Sequence, residues 1–474
     1  MSGADAPSRR TFILALLAVL LVAAGLRFYR LPGRPVALHY DEAANGILAG
    51  EIARGLKTPI FIPSYTGKEV LFFYWAALWM SLLGPTPLAL RLASASIGLL
   101  TVAVTVWLVY ELLHSLPEAR WIALITAVFL ATSFWHLVLS RYGFRAIAQP
   151  LLQALTIAAL WRGLRLRQRR GPAPPGIGWL LFAGLFCGLT AYTYLAARAF
   201  PIPLAAALAA LLIAGPDDRR RHLLQLAIFV AAAALVLAPL GHYWLTHPGS
   251  FMTRTRQVAA DNMADVWQGL VACLRMFFIR GDPYIRFNLP YRPLFAPGVA
   301  ALFILGLAVA VSQLVHLLRA LDGPSSALAS ASWVFLLVIT PVMLLPSALA
   351  TDEITPSNLR TVGLLPFVYV FPALGLWALV RASRRLLRRD ELVDRLLLPA
   401  SCVLLLFLLA FAGGSTYAKW ATAPALYYAA DGDLADIAAY LNRADLNQTT
   451  PYVASRHYRH PTLAFLAEDY DQVR

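Results

Sequence analysis

The run TFILALLAVLLVAAGLRFYR at 11–30, followed nine residues later by His39-Tyr40-Asp41-Glu42-Ala43, decides how this chain is read. A spanning helix needs about 20 mostly apolar residues, and 11–30 supplies them directly after the basic pair Arg9-Arg10. No small-residue cleavage site ends the run, so it reads as a retained signal anchor rather than a secretory leader. Asp41 and Glu42 then fall just outside the membrane. Aspartate is a good helix cap and acids suit a first helical turn, while a carboxylate at an interface can also take a proton from a substrate. The local sequence accommodates both roles. Adjacent residues on a helix point about 100° apart, so one carboxylate can address a substrate while the other anchors the loop.

The rest of the chain fits a membrane setting. Of 474 residues 59% are hydrophobic and 14% charged, with a mean hydropathy of +0.64, against roughly 25% charged in a water-soluble domain. The net charge of +15 comes from 37 arginines and 3 lysines. They form no basic stripe interleaved with exposed aromatics, which argues against nucleic acid. Cys187, Cys273 and Cys402 are too far apart for a disulfide framework or a metal cluster. No cofactor is called for and no divalent metal is indicated. A glycine-rich phosphate loop beside a strand is absent, which leaves no case for ATP hydrolysis.

Apolar runs near 11–30, 88–112, 120–140, 148–162, 177–196, 200–214, 223–245, 297–318, 329–350, 361–380 and 396–414 predict about eleven transmembrane helices. With the N-terminus cytoplasmic, the inner gaps hold eighteen arginines, among them Arg165, Arg219 to Arg221 and Arg381. The short outer gaps hold only Arg141, Arg145, Arg198 and Arg360. That asymmetry is the positive-inside pattern. It predicts an inner-membrane protein with three longer segments, 31–87, 246–296 and 415–474, on the extracytoplasmic side.

Within the first outer segment, Ala44, Ile47, Leu48, Ile52 and Leu56 recur at helical spacing, predicting an amphipathic helix over 42–56 that lies in the interface. The aromatic run Val70 to Leu83 is too short to span and reads as interfacial or re-entrant. Lys68 and Glu69, just before it, are candidates for substrate positioning, as is His39. The four outer arginines are candidates for a lipid phosphate, because a guanidinium fork grips phosphate better than an ammonium. The segment 415–474 reads as an extracytoplasmic α/β tail that stops partway through a domain: a helix from Asp431-Gly432-Asp433 through Leu441, a strand at Tyr452-Val453-Ala454, and a helix at 461–468. His457 and His460 read as solvated surface.

One cytoplasmic terminus, one span, and a long outer loop opening on Asp-Glu resemble the GT-C glycosyltransferases. The closer likeness is to the protein O-mannosyltransferase and aminoarabinose-transferase superfamily, the bacterial glycosyltransferase family 39 or RgtA/B/C/D-like group. It rests on His39 to Ala43, Gly67-Lys68-Glu69 with the aromatic run, Leu90-Arg91-Leu92-Ala93-Ser94, Ser140 to Arg145, and Asn358-Leu359-Arg360 through Pro366. The resemblance implies an all-α GT-C bundle over 1–414 that moves a sugar from a polyprenyl-phosphate donor to an envelope acceptor: a lipid, polysaccharide or protein hydroxyl. It implies Asp41 as general base with Glu42 beside it and inversion at the sugar, the outer arginines stabilising the leaving phosphate. Lys68-Glu69-Val70 stands where the aminoarabinose transferases carry Glu-Lys-Pro, and 246–296 has no room for the insert of eukaryotic protein mannosyltransferases. Both of those specific substrates are set aside. The alternatives are a lipid-linked-sugar flippase, whose ionisable residues belong near the midplane, and an O-antigen ligase-like enzyme with its key residues in a late outer loop.

Overall fold

A computed structural model describes residues 7–64, 67–166, 176–258, 262–320, 324–350, 354–387, 391–444, 451–454, 459–468 and 470. The chain runs α1 (Arg9–Phe28), α2 (Tyr40–Ala53), β1 (Phe61–Ile62), β2 (Lys68–Glu69), α3 (Leu71–Leu83), α4 (Pro87–Leu112), α5 (Ala119–Thr132), α6 (Phe134–Ser140), α7 (Ala148–Arg165) and α8 (Ile177–Thr190). It continues through α9 (Pro201–Ala214), α10 (Arg219–Thr246), α11 (Pro248–Val258), α12 (Met263–Arg275), α13 (Pro297–Ala320), α14 (Pro324–Ala348), α15 (Val370–Leu387) and α16 (Glu391–Ala421). Three short helices close it: α17 (Pro424–Ala429), α18 (Gly432–Leu441) and α19 (Pro461–Leu466).

Every one of the eleven apolar runs contains a helix, yet the count of eleven spans is not carried by length and composition. Among the described residues seven helices are long and apolar enough to cross a membrane, or eight if α5 and α6 form one span bent by 63°. The bend sits at Ser133, whose extended backbone ends α5 while its hydroxyl caps α6 by accepting from His136 N–H. The run at 361–380 starts its helix only at Val370, because Pro366 has no N–H and holds Leu365 extended.

The two ends of the bundle are held by different polar contacts. At one end Arg162 and Arg165 meet Glu111, Arg381 meets Glu118, and Arg221 donates to the Leu164 carbonyl. These contacts join the C-terminal ends of α4, α7 and α15 to the N-terminal ends of α5 and α10. Arg167, Arg169, Arg170, Arg388 and Arg389, counted with them from sequence, lie outside the described residues. The opposite end gathers the C-terminus of α1, the N-terminus of α4, the C-terminus of α6 and the loop that follows α1.

Two expectations for the outer segments are corrected. Helix α2 does not lie amphipathically on an interface: Glu42 to Gly50 are buried except for Ile47, because α3 covers one side of it and α19 another. The described part of the tail is helical, and Tyr452 to Ala454 form no strand. An isolated extended segment has no partner to take its N–H and C=O groups. β1 and β2 form a two-stranded antiparallel hairpin pairing Phe61 with Glu69 and Ile62 with Lys68. Helix α3, at 13 residues, is too short to span.

Candidate active site

Helix α2 begins at Tyr40, and its cap is His39, whose Nδ1 accepts from Asp41 N–H at 2.9 Å. The capping role is therefore filled, and Asp41 stands in the first turn with its carboxylate outward and its side chain 34% exposed. The turn rotates Glu42 the other way, where it is fully buried. Glu42 pairs with Arg91 of α4 at 3.0 Å and accepts from Gly143 N–H at 2.9 Å. Arg91 also donates to the carbonyls of Pro32, Pro35 and Ala37. This buried pair ties the exit of α1, the start of α2 and the loop after α6 together. Only glycine fits at 143, since a Cβ there would lie 2.5 Å from Leu90 and 2.9 Å from the Glu42 side chain.

The wiring continues to the hairpin. Asn45 donates to the Gly143 carbonyl at 2.9 Å and accepts from Lys68 Nζ at 3.0 Å. Burial, followed by repulsion from Arg145, pushes the Lys68 ammonium down to about 7. Glu69 on the same strand pairs with Arg145 at 3.2 Å and lies 3.9 Å from Arg198.

The residue that faces Asp41 is one the sequence did not single out. Arg286, in the loop between α12 and α13, donates to Asp41 Oδ2 at 2.5 Å and lies 3.0 Å from His39 Nε2. Its guanidinium rests on the Phe287 ring at 4.9 Å. Burial by itself would raise the Asp41 carboxyl, but Arg286 overrides it and holds the group at about 2. His39 is pushed to about 3 by burial and then by Arg286, so its imidazole is neutral. With Nδ1 accepting from Asp41 N–H, a neutral imidazole carries its proton on Nε2 and cannot also accept from Arg286. Arg286 thus keeps donor capacity for an incoming anion. Asp282 positions this loop: its carboxylate accepts from Tyr284 N–H at 2.7 Å and Asn358 N–H at 2.8 Å. Burial raises Asp282 to about 6 despite those bonds.

The four outer arginines separate by environment. Arg145, next to Lys68, stays at the site. Arg141 is 2% exposed and spends its guanidinium on the carbonyls of Leu26, Arg27, Tyr29 and Arg34, capping α1. It is built into the fold and presents no free face to a phosphate. Arg198 donates to the Phe251 carbonyl and stacks on Phe251. Arg360 donates to the carbonyls of Ala350 and Ile354. No group of three or more His, Cys, Asp or Glu side chains among the described residues could hold a metal ion.

Compared with solved structures, the chain is similar to ArnT from Cupriavidus metallidurans bound to undecaprenyl phosphate, at a TM-score of 0.62 and 16% identity over 97% of this chain and 85% of that one. The fold is GT-C. The Archaeoglobus fulgidus oligosaccharyltransferase matches at a TM-score of 0.61 and 15% identity over 97% of this chain and 64% of that one. The same organism's oligosaccharyltransferase AglB, in complex with an inhibitory peptide and a dolichol-phosphate, gives 0.60 at 15% identity, covering 96% and 63%. This chain therefore spans less than two thirds of the archaeal GT-C proteins. No family model and no curated protein matches the sequence.

Proposed function

We propose that the protein is an integral-membrane glycosyltransferase that moves a sugar from a polyprenyl-phosphate donor to an envelope acceptor hydroxyl on the extracytoplasmic face. One observation carries the reading: a half-open carboxylate, Asp41, fronts a cluster of cations, Arg286, Lys68 and Arg145, at the end of the bundle where the first loop leaves α1. The arginine asymmetry supports an inner-membrane location with a cytoplasmic N-terminus.

The acceptor oxygen attacks the anomeric carbon as the bond from that carbon to the phosphate oxygen breaks. The lipid phosphate leaves with the electron pair, and Asp41 takes the acceptor proton. One displacement inverts the anomeric centre. A phosphate leaves without protonation, so one carboxylate suffices where a glycosidase needs two. Arg286, Lys68 and Arg145 stabilise the charge that develops on it. Arg286 has a second part: while it pairs with Asp41 it holds that carboxylate as a poor base. A donor phosphate that draws the guanidinium toward itself releases the carboxylate and raises its proton affinity. Glu42, Arg91 and Arg141 fix the loop that presents Asp41, and Glu69 aims Arg145 and Arg198.

The test is transfer from a panel of radiolabelled polyprenyl-phosphate sugars to envelope extracts by reconstituted protein. Wild type is expected to transfer at least one sugar, and Asp41→Asn to retain donor binding and lose transfer. Equal transfer by both proteins would sink the base assignment, and transport of an unmodified lipid-linked sugar would sink the enzyme reading.

A further inference from the structure

The tail reaches back to the residues beside Asp41. Asp431, between α17 and α18, accepts from Tyr40 N–H at 2.7 Å across 391 positions of sequence. That N–H is one of the helix-start donors that no helical carbonyl can take. Thr462, the second residue of α19, donates to the Leu38 carbonyl at 3.0 Å and lies 3.4 Å from the same Asp431 oxygen. The His460 ring, 5% exposed, sets its edge or face against Tyr40 at 5.2 Å; it is not the solvated surface residue the sequence suggests, while His457 lies outside the described residues. Asp431 adopts a left-handed backbone with φ 53°, a conformation in which aspartate is enriched. The tail therefore pins residues 38 and 40, and Arg286 pairs with the carboxylate of residue 41.

We propose that Asp431 is a positioning residue: through the Tyr40 amide it fixes the first turn of α2, and so the direction of the Asp41 carboxylate. The proposal rests on the transfer reading above. It gives the tail a place in the chemistry without contact to substrate. A general base must sit within hydrogen-bond reach of the proton it takes, and an ångström of misplacement costs up to about a hundredfold in rate.

Two variants separate positioning from folding. Asp431→Ala removes the acceptor, whereas Asp431→Asn keeps an oxygen for the Tyr40 N–H. Expressed per mole of folded protein, Asp431→Ala is expected to lower kcat about 10- to 100-fold with donor KM unchanged, and Asp431→Asn to restore most of it. Amide hydrogen exchange over 38–46 is expected to accelerate in Asp431→Ala and stay near wild type in Asp431→Asn. Wild-type kcat in Asp431→Ala overturns the positioning role, and unchanged exchange overturns the contact. A wild-type protein that transfers no sugar removes the transfer reading and the role with it, while the exchange data still report whether the tail holds α2.

Discussion

Replacing Arg286 by glutamine tests both halves of its role in one protein. Glutamine keeps a donor amide and removes the charge. The side chain is only 8% exposed, so the interaction it makes with a phosphate is little screened. A hydrogen bond to a charged group contributes about 1.5–3 kcal/mol, which corresponds to about 10- to 150-fold in donor KM. The second effect has the opposite origin. Burial already pushes the Asp41 carboxyl up, and Arg286 is the foremost group holding it at about 2. Without that charge the burial is opposed only by the weaker pull of His39 and Lys68, and the carboxyl moves up from about 2. The acid limb of kcat/KM reports the free enzyme. Wild type should thus be flat down to about pH 4 in this group, while Arg286→Gln should lose activity about tenfold per pH unit below its new, higher value. The assay is initial-rate transfer in detergent micelles from pH 4 to pH 8 with donor varied. An unchanged donor KM together with superimposable pH profiles would refute the assignment of Arg286 to both phosphate and base.

Lys68 should make affinity for the polyprenyl-phosphate sugar, a diester that does not itself titrate here, fall as pH rises through about 7, because a bound phosphate raises the ammonium and so takes up a proton; titration calorimetry in two buffers measures that uptake, and Lys68→Gln should abolish it. Gly143→Ala forces a Cβ against Leu90 and Glu42 and is expected to destabilise the protein by about 1–3 kcal/mol, read as a lowered Tm in detergent. Glu42→Gln leaves the Arg91 charge buried without its partner and should cost about 3–5 kcal/mol, whereas joint replacement of Glu42 and Arg91 by apolar residues should recover much of that loss; denaturant unfolding of the single and double variants decides it.

The fold was legible because its signals are local and repeated. Each apolar run becomes a helix, since the chain has no other way to satisfy its backbone groups in hydrocarbon. Arg162, Arg165, Arg221 and Arg381 collect at one end because charge is excluded from the bundle's middle. How many helices cross was less legible: α7, α8 and α15 are short or interrupted, and hydropathy cannot say what covers them. The site was half legible. His39 to Glu42 and Lys68-Glu69 stand in sequence as a helix start and a turn beside apolar runs, and the structure brings both together. Arg286, Asn45, Asp282 and Asp431 carried no comparable mark. Arg286 lies in a long loop between apolar runs where an arginine is unremarkable, and its importance comes from what folds opposite it.

By itself the sequence determined the membrane class, the helix in each apolar run, and the place of an acidic pair just past the first of those runs. All three follow from the transfer of side chains between water and lipid, which acts residue by residue. Only the tertiary structure decided which carboxylate is open. Glu42 turns inward because Arg91 and Gly143 N–H lie there to satisfy it, and Asp41 turns outward because His39 has already taken the cap. The same holds for the arginines: Arg141 is consumed by the carbonyls that end α1, while Arg286 is delivered to Asp41 by a loop 245 residues away. Such choices depend on distances between groups far apart in the chain, and no local pattern encodes them.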